Sequence, residues 1–315
     1  MKWILEFLLN PSWLSMIIIV LLGMSCEEEV IPPPVEHAKE IVVEGYVEKG
    51  EGAMPPYVIL SYSFPFFSKL STEDFAKSFI NAAEVYVVYS GNRYELEKVC
   101  LKDLPVLLRE QLARQLGVNP ALFESADLCF YIDLMRNIPV EEKGTYYLNA
   151  IVGGDTIKAE TTIPEPVELD SLYYLPVVGV DSSYREMKAS LDPPEGLHYY
   201  RYFAKVNQGR FQTASRSVFT DKLFSEEGLD FRLPKPEGAD TKPGDPTRFL
   251  YEVGDTVTLK WSTIDEAHYD FWRTLEYNRQ NQGPFSSYTR VKSNVQGGIG
   301  IWGGMRYFIY RSIVE

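Results

Sequence analysis

Apolar and polar residues alternate along several stretches of the chain, a pattern typical of strands with one buried face. Two of the stretches are interrupted by turn residues, Ser90-Gly91-Asn92 and Gly153-Gly154-Asp155, which predicts a hairpin at each place. The strand spacing predicts an immunoglobulin-like or transthyretin-like β-sandwich over residues 40–165. Its predicted strands and hairpins cover residues 40–50, 56–67, 82–99 and 144–164.

A helical pattern interrupts the first predicted sandwich at residues 102–117. Its leucines recur at intervals of three and four residues, and Gly117 ends the pattern, so we expect an amphipathic helical insertion. We expect its apolar stripe to cover the sandwich, with binding of a partner as the alternative. The leucines are Leu104, Leu107, Leu108, Leu112 and Leu116.

Two cysteines, Cys100 and Cys129, flank the helical insertion. An oxidising compartment would favour a disulfide between them, which would fix the two ends of the insertion. The alternative is a pair of buried free thiols.

A second β-rich domain with one helix is predicted over residues 166–315. The joint lies within residues 161–176, where Pro164 and Pro166 cannot continue a strand ladder. We expect a long loop near residues 220–248, and a flexible loop at residues 297–305 that either contacts a partner or makes tight turns. The predicted regular elements are a strand–turn–strand unit over 186–209, a strand over 252–264, a helix beginning in a capping box at Thr263, and a closing strand over 306–314.

The first 26 residues have the charge and apolar core of a signal peptide, and the apolar run is short for a membrane span. Cys26 with Ser25 before it resembles the bacterial lipobox, although Gly23 stands where a leucine is usual. We therefore expect residues 1–26 to be a lipoprotein signal peptide with its lipobox, cleaved so that Cys26 becomes the first mature residue and is lipidated. An ordinary secretory signal and a single-span anchor are the alternatives.

An acidic, proline-rich segment, residues 27–39, follows the predicted lipidation site. Its prolines favour an extended tether between a membrane and the folded body. Its run of glutamates resembles the surface-export signal of Bacteroidota lipoproteins, so we expect an outer-membrane lipoprotein that faces the cell exterior. A merely solvated charge run is the alternative.

The net charge of −13 argues against nucleic-acid binding, because such affinity depends on lysine and arginine contacts to phosphates. With three cysteines and three histidines, the chain has few ligands for zinc. It contains no nucleophile elbow, no phosphate-binding loop and no His-Glu-x-x-His motif. We therefore predict no catalytic residue, no metal and no cofactor.

Aromatic residues offer candidate binding positions. Trp261, Trp272 and Trp302 are candidates for contact with a ligand or partner, and burial in the core is the alternative for each. The triplet that begins at Asp170 resembles the O-glycosylation pattern of Bacteroidota and makes Ser171 a candidate for modification.

Several segments together resemble a Bacteroidota lipoprotein family catalogued as a domain of unknown function. The likeness covers essentially all of the mature chain and is most specific near the C-terminus. The resemblance implies an envelope lipoprotein that works with a TonB-dependent outer-membrane receptor, and it implies no catalytic residues. The segments are, in order, IVVEGYV, TTIPEPVELDSL, LDPPEGLHYYRY, EVGDTVTLKWSTIDEAHYDFWRTLE and GPFSSYTRVKSNVQGGIGIWGGM.

These observations favour a non-enzymatic accessory subunit of a TonB-dependent nutrient transporter, held at the membrane by its lipid anchor. A glycan-binding or adhesive surface module is one alternative. A hydrolase with carboxylates on separate strands is another, and two opposed carboxylates in a cleft would favour it.

Overall fold

The computed structural model describes residues 39–64, 71–116, 128–222, 229–237, 244–281 and 289–315. The predicted signal peptide, Cys26 and all of the predicted tether except Lys39 lie outside the described residues. The described chain is mainly β, which confirms the predicted fold class.

One large sheet crosses the described part of the chain, and its strands come from both halves of the sequence. Neighbouring strands are antiparallel except β17 and β1, which run parallel. In order across the sheet, the eight strands are β12 (Val218–Thr220), β11 (Tyr199–Val206), β15 (Thr256–Ile264), β17 (Ile299–Ile313), β1 (Ile41–Lys49), β2 (Tyr57–Tyr62), β6 (Cys129–Ile132) and β5 (Glu97–Cys100).

Two smaller sheets complete the β structure of the described residues. The five-stranded sheet has the order β16 (Val295–Gln296), β8 (Asp155–Thr162), β7 (Thr145–Val152), β3 (Ala83–Tyr89) and β4 (Asn92–Glu95). The four-stranded sheet is built around β10 (Tyr184–Leu191), which pairs with β9 (Ser171–Pro176), β13 (Leu229–Arg232) and β14 (Tyr251–Glu252).

Both predicted hairpins are present in the five-stranded sheet. Ser90 and Gly91 have positive φ angles of 49° and 78°, as a tight turn between β3 and β4 requires. Gly153 and Gly154, with φ angles of 58° and 100°, turn the chain between β7 and β8 in the same way. The predicted strand–turn–strand unit over residues 186–209 also contains two strands, β10 and β11. These strands lie in different sheets, so they do not form a hairpin.

Two sandwich cores lie on the same face of the large sheet. In the first, Val43 of β1 and Val58 of β2 pack with Val87 and Leu148 of the five-stranded sheet. In the second, Tyr202, Trp261 and Phe308 stand directly opposite one another across β11, β15 and β17. They pack with Met187 and Ala189 of the four-stranded sheet.

The predicted boundary between residues 165 and 166 does not separate two independent domains. β17 belongs to both cores, because Trp302 packs in the first and Phe308 and Tyr310 pack in the second. The same strand pairs with β1 from Val42↔Ile299 to Lys49↔Arg306. The described residues accordingly form one compact unit, with a single sheet shared by two sandwiches.

Three helices and one 3₁₀ turn accompany the sheets in the described residues: α1 (Thr72–Lys77), the turn Leu101–Asp103, α2 (Val106–Leu116) and α3 (Glu266–Gln280). The start of α3 differs from the prediction. Asp265, not Thr263, is the N-cap, and its carboxylate accepts a hydrogen bond from the His268 N–H at 2.7 Å. The Thr263 hydroxyl instead accepts from the Val167 N–H at 3.0 Å.

The helical insertion is present, but the described part of its apolar stripe does not cover the sandwich. Val106, Leu107 and Leu108 at the start of α2 are 61%, 64% and 48% exposed. Leu104, just before the helix, is half-buried against the apolar cluster that contains Leu101. The side chains of residues 112–116 lie outside what the structure describes.

The glycine-rich segment 297–305 is not a loop at its C-terminal end, because β17 begins at Ile299 and residues 300–305 are buried. Its glycines make room for neighbours. A Cβ on Gly303 would meet Nδ1 of His268 at 2.7 Å, and one on Gly304 would meet the Thr162 carbonyl oxygen at 2.5 Å. The glycines of this segment, which suggest a flexible loop, instead permit close packing against α3 and β8.

The substitution Gly303→Ala should lower the free energy of unfolding by about 1–3 kcal/mol, because the added methyl overlaps the buried His268 ring. Urea unfolding measures the change. In a His268→Ala background, which removes the ring, the same substitution should cost clearly less. Equal costs in the two backgrounds would contradict this account of the contact.

Cys100 and Cys129 form a disulfide between directly paired residues of β5 and β6. The bond closes the chain around the helical insertion at an edge of the large sheet. Both sulfur-bearing residues are buried, at 8% and 1% exposure.

Replacing both cysteines by alanine should lower the free energy of unfolding by about 3.5 kcal/mol, the loop-closure value for a separation of 29 residues. Chemical unfolding of the oxidised protein and of the double variant measures this difference. Reduction of the wild type is the matched control and should give a similar loss. An unchanged stability in both cases would show that the bond does not constrain the unfolded chain.

Candidate functional site

A groove of about 650 Å³ opens over the face of the large sheet that points away from the two sandwich cores. Strand alternation builds its floor, because Val43 and Val47 of β1 enter the first core while Glu44, Tyr46 and Glu48 face the other way. Groove-facing residues of the other strands include Tyr57 and Ile59 of β2, Arg201, Phe203 and Lys205 of β11, Thr258 and Lys260 of β15, and Met305, Tyr307, Ile309 and Arg311 of β17.

Helix α3 lies against this same face and contributes Trp272 and Arg279 to the groove. Asp265 fixes the start of the helix. Its carboxylate accepts hydrogen bonds from the Thr161 hydroxyl and, at 3.3 Å, from the Thr162 N–H, so the start of the helix is tied to β8. Burial raises the pKa of Asp265, and these hydrogen bonds act in the opposite direction.

Glu48 and Lys260 form an ion pair on the groove floor, with 3.0 Å between the carboxylate oxygen and Nζ. Their side chains are only 12% and 15% exposed, so the pair is largely shielded from solvent. The Lys260 ammonium also lies 4.0 Å from the centroid of the Tyr307 ring. These contacts leave neither charge without a partner.

Arg201 is the most deeply buried charge of the groove, at 4% exposure. Its guanidinium carbon lies 3.6 Å from the centroid of the Trp272 ring. Its Nε donates at 3.3 Å to the hydroxyl of Ser217, which in turn donates to the Glu276 carboxylate at 2.5 Å. Loss of solvent lowers the pKa of Arg201, and Tyr46 and Glu276 act against that shift.

Glu44 stands on the groove floor and stays accessible to solvent there. The surrounding protein removes part of its hydration and raises its pKa, while Arg201 and the Tyr46 hydroxyl favour the carboxylate form. The Tyr46 hydroxyl donates to this carboxylate at 3.3 Å. A carboxylate and a guanidinium therefore line one groove, although they do not form an ion pair.

The side chain of His268, on α3, is fully buried between Gly303 and the ring of Tyr46. Its Nδ1 is 3.2 Å from the Gly304 carbonyl oxygen, which requires the proton on Nδ1, and Nε2 has no partner among the described residues. Burial, together with the nearby Arg201 charge, lowers the pKa of His268 to about 3. The ring is therefore neutral near pH 7.

The structure separates the three tryptophans that the sequence offers as contact residues. Trp261 and Trp302 are fully buried, and their indole N–H groups donate to the carbonyl oxygens of Val167 and Tyr146 at 2.9 and 3.0 Å. Their predicted contact with a partner is therefore wrong, because each is part of a sandwich core. Trp272 is half-buried and lines the groove.

Ser171 is exposed at the start of β9, with its hydroxyl oxygen 2.6 Å from that of Ser190. Its glycosylation stays a prediction. Lipidation of Cys26 also stays a prediction, because that residue lies outside the described chain.

The sequence alone does not identify the charged residues of the groove as functional. Glu44 and Glu48 occupy polar positions of the alternating strand β1, and Arg201 and Lys205 occupy the corresponding positions of β11. Such positions ordinarily face solvent in an antiparallel sheet. The available signal is Arg201 within the aromatic stretch Tyr199–Phe203, where a charge is unusual.

Among the described residues, no group of three or more His, Cys, Asp and Glu side chains is placed to hold a metal ion. Asp221 accepts from the Tyr200 hydroxyl at 3.0 Å, and one of its oxygens lies 2.8 Å from Nδ1 of His198. Because Tyr200 bonds to the carboxylate and not to the imidazole, this cluster lacks the nucleophile–base contact of a catalytic triad.

The fold and the groove define a β-rich protein with a preformed cavity of ligand size. The chain belongs to the family described as domain of unknown function DUF4249, whose model matches residues 27–310. The comparison with curated proteins gives no match to this chain. Among the described helices, none has both the length and the apolar character needed to cross a membrane.

Stability should fall on acidification through His268. Its folded pKa of about 3 lies below the unfolded value of about 6.5, so its contribution is complete above pH 6.5 and is lost as pH falls towards 3. Between pH 7 and pH 5 the loss should be about 2 kcal/mol.

Urea unfolding of the wild type and of His268→Gln at pH 7 and pH 5 isolates this contribution. The stability difference between the two proteins should shrink by about that 2 kcal/mol at the lower pH. The carboxyl groups with raised pKa, such as Asp265 and Glu276, titrate in both proteins and cancel in the comparison. Parallel pH profiles would show that His268 does not stay neutral in the folded protein.

Proposed function

We propose that the protein is a non-enzymatic, lipid-anchored subunit of the outer envelope that binds a small ligand in the groove and assists a TonB-dependent receptor in its uptake. The groove is the observation that carries this proposal. Its volume of about 650 Å³ lies within the range of small-molecule sites, and its floor is made of strand residues held by a continuous hydrogen-bonded sheet.

The sequence ahead of the body supports an envelope location. Cys26 follows an apolar run of signal-peptide length, and an acidic, proline-rich segment separates it from the first strand at Ile41. Acyl chains on a cysteine at this position would hold the protein at a membrane. The tether would let the groove meet a neighbouring receptor.

The acidic groups of the groove support binding in preference to hydrolysis. Glu48 pairs with Lys260, and Glu51 pairs with Arg311 at 2.5 Å, so each of these carboxylates already has a cationic partner. Glu44 is the carboxyl group of the groove whose pKa burial raises. A glycosidase needs a second carboxylate opposed to the first. Glu237 also lines the groove without an ion pair to a described residue, but the groups that act on Glu44 are Arg201, Tyr46 and Arg279 and not Glu237.

Glycan binding is the second candidate, and the aromatic lining favours it. Trp272 and Phe203 are half-buried, line the groove and offer aromatic surface on which a sugar could stack. Binding to immobilised neutral polysaccharides that is lost in Trp272→Ala would support this candidate over transporter assistance.

Affinity purification of the tagged full-length lipoprotein from detergent-solubilised outer membrane of its native host tests the proposal. We expect a β-barrel receptor of the TonB-dependent class to co-purify, and the intact mass to show acyl chains on Cys26. The matched control is Cys26→Ser. This variant should be absent from the membrane fraction, and the receptor should not co-purify with it. Recovery of the acylated wild type without any barrel partner would contradict the accessory role.

A further inference from the structure

The charges that line the groove do not balance once their ion pairs are removed. Glu48 is paired with Lys260 and Glu51 with Arg311. The remaining charged residues of the groove have no ion pair with another described residue, and the cations outnumber the carboxylates by four to two. They are Arg201, Lys205, Arg210 and Arg279 against Glu44 and Glu237. The groove is therefore cationic in a chain whose net charge is −13.

Arg201 is the most deeply buried of these four cations. A buried charge is costly unless an opposite charge or several hydrogen bonds compensate for it. Described residues compensate for it in part, through a 3.3 Å hydrogen bond to the Ser217 hydroxyl, a hydrogen bond with Tyr46, and ring contacts with Trp272 and Phe203 at 3.6 and 4.6 Å. The carboxyl groups of Glu276 and Glu44 add attraction from a greater distance. No carboxylate oxygen of the described residues lies within 4.0 Å of its nitrogens.

The chemistry of a guanidinium indicates which ligand group would pair with it. Its planar donors match the two oxygens of a carboxylate, and such bidentate pairs are stronger than neutral hydrogen bonds. The ring of Trp272 already holds the plane of the guanidinium in place, so little ordering remains to be done on binding. Trp272 also has a buried indole N–H without a partner in the described chain.

The rest of the lining indicates an organic ligand and not a bare inorganic anion. Tyr57, Phe203, Phe211, Tyr307 and Ile309 supply aromatic and apolar surface around the charged groups. The cavity is far larger than an inorganic ion requires. A ligand with a carbon framework would cover this surface while its carboxylate meets the cation.

We propose that the groove binds a small organic carboxylate and that Arg201 is the residue that receives the carboxylate group. This inference deepens the proposed function, because it names the chemical class of the ligand. Arg279, on the last turn of α3, and Lys205, on β11, add to the positive potential that attracts the anion.

Isothermal titration of the full-length lipoprotein in detergent tests the assignment with two matched pairs of probes. The first pair is digalacturonate and its methyl ester, and the second is N-acetyl-Phe-Ala-Phe and its C-terminal amide. In at least one pair the acid should bind about tenfold or more tightly than its neutral counterpart. The pair that responds distinguishes an acidic sugar from a peptide terminus.

Variants assign the effect to the groove. Arg201→Gln should weaken binding of the responding acid by about tenfold or more and leave the neutral probe unchanged. Arg273→Gln is the matched control, since it removes the same charge from the residue next to Trp272 on α3 but lies outside the groove. It should bind within about twofold of the wild type. Should Arg201→Gln fail to fold, Arg279→Gln at the exposed end of α3 should weaken the acid by about threefold to tenfold.

Three results would overturn the assignment: acids that bind no better than their neutral counterparts, an Arg201→Gln protein that binds like the wild type, or an equal loss in Arg273→Gln. This test is separate from the co-purification. Failure of the acid probes with a barrel partner present would reject the ligand class alone. Acid binding without a barrel partner would reject the accessory role alone.

Discussion

The parallel pairing of β17 with β1 is the interaction on which the rest of the structure depends. It joins the last described strand to the first, from Val42↔Ile299 to Lys49↔Arg306, and so merges strands from both halves of the sequence into one eight-stranded sheet. Non-local pairing of this kind carries a large entropic cost of loop closure. The two sandwich cores offset that cost, because Trp302 is buried in one and Phe308 is packed in the other.

The groove is a consequence of that shared sheet. Because both smaller sheets cover one face, the opposite face is left to helix α3 and to the polar positions of β1, β11, β15 and β17. His268 sits where glycine at position 303 lets the helix approach the sheet, and Trp272 lies one turn further along. The same helix placement thus closes the groove wall and holds the ring that stacks on Arg201.

Local patterns predict much of the fold, because alternation and turn chemistry act over a few residues. They identify the hairpins at Ser90-Gly91 and Gly153-Gly154 and the strand Thr256–Ile264. They cannot identify which strands pair over long distances, so they place a boundary at residue 165 and interpret residues 297–305 as a loop. Local patterns fail to predict the charged residues of the groove for the same reason. Arg201 and Glu44 become neighbours only through the sheet order β11-β15-β17-β1.

Native-state hydrogen exchange in increasing urea tests the shared sheet most directly, because it gives an opening free energy for each amide. Amides of β7 in the first core, β10 in the second and β17 in both should converge on one free energy of unfolding, since one sheet supports both cores. Amides of β7 and β10 with two different opening free energies, and a change between them near residue 165, would contradict the account. It would show two domains that unfold independently and a strand pairing too weak to unite them.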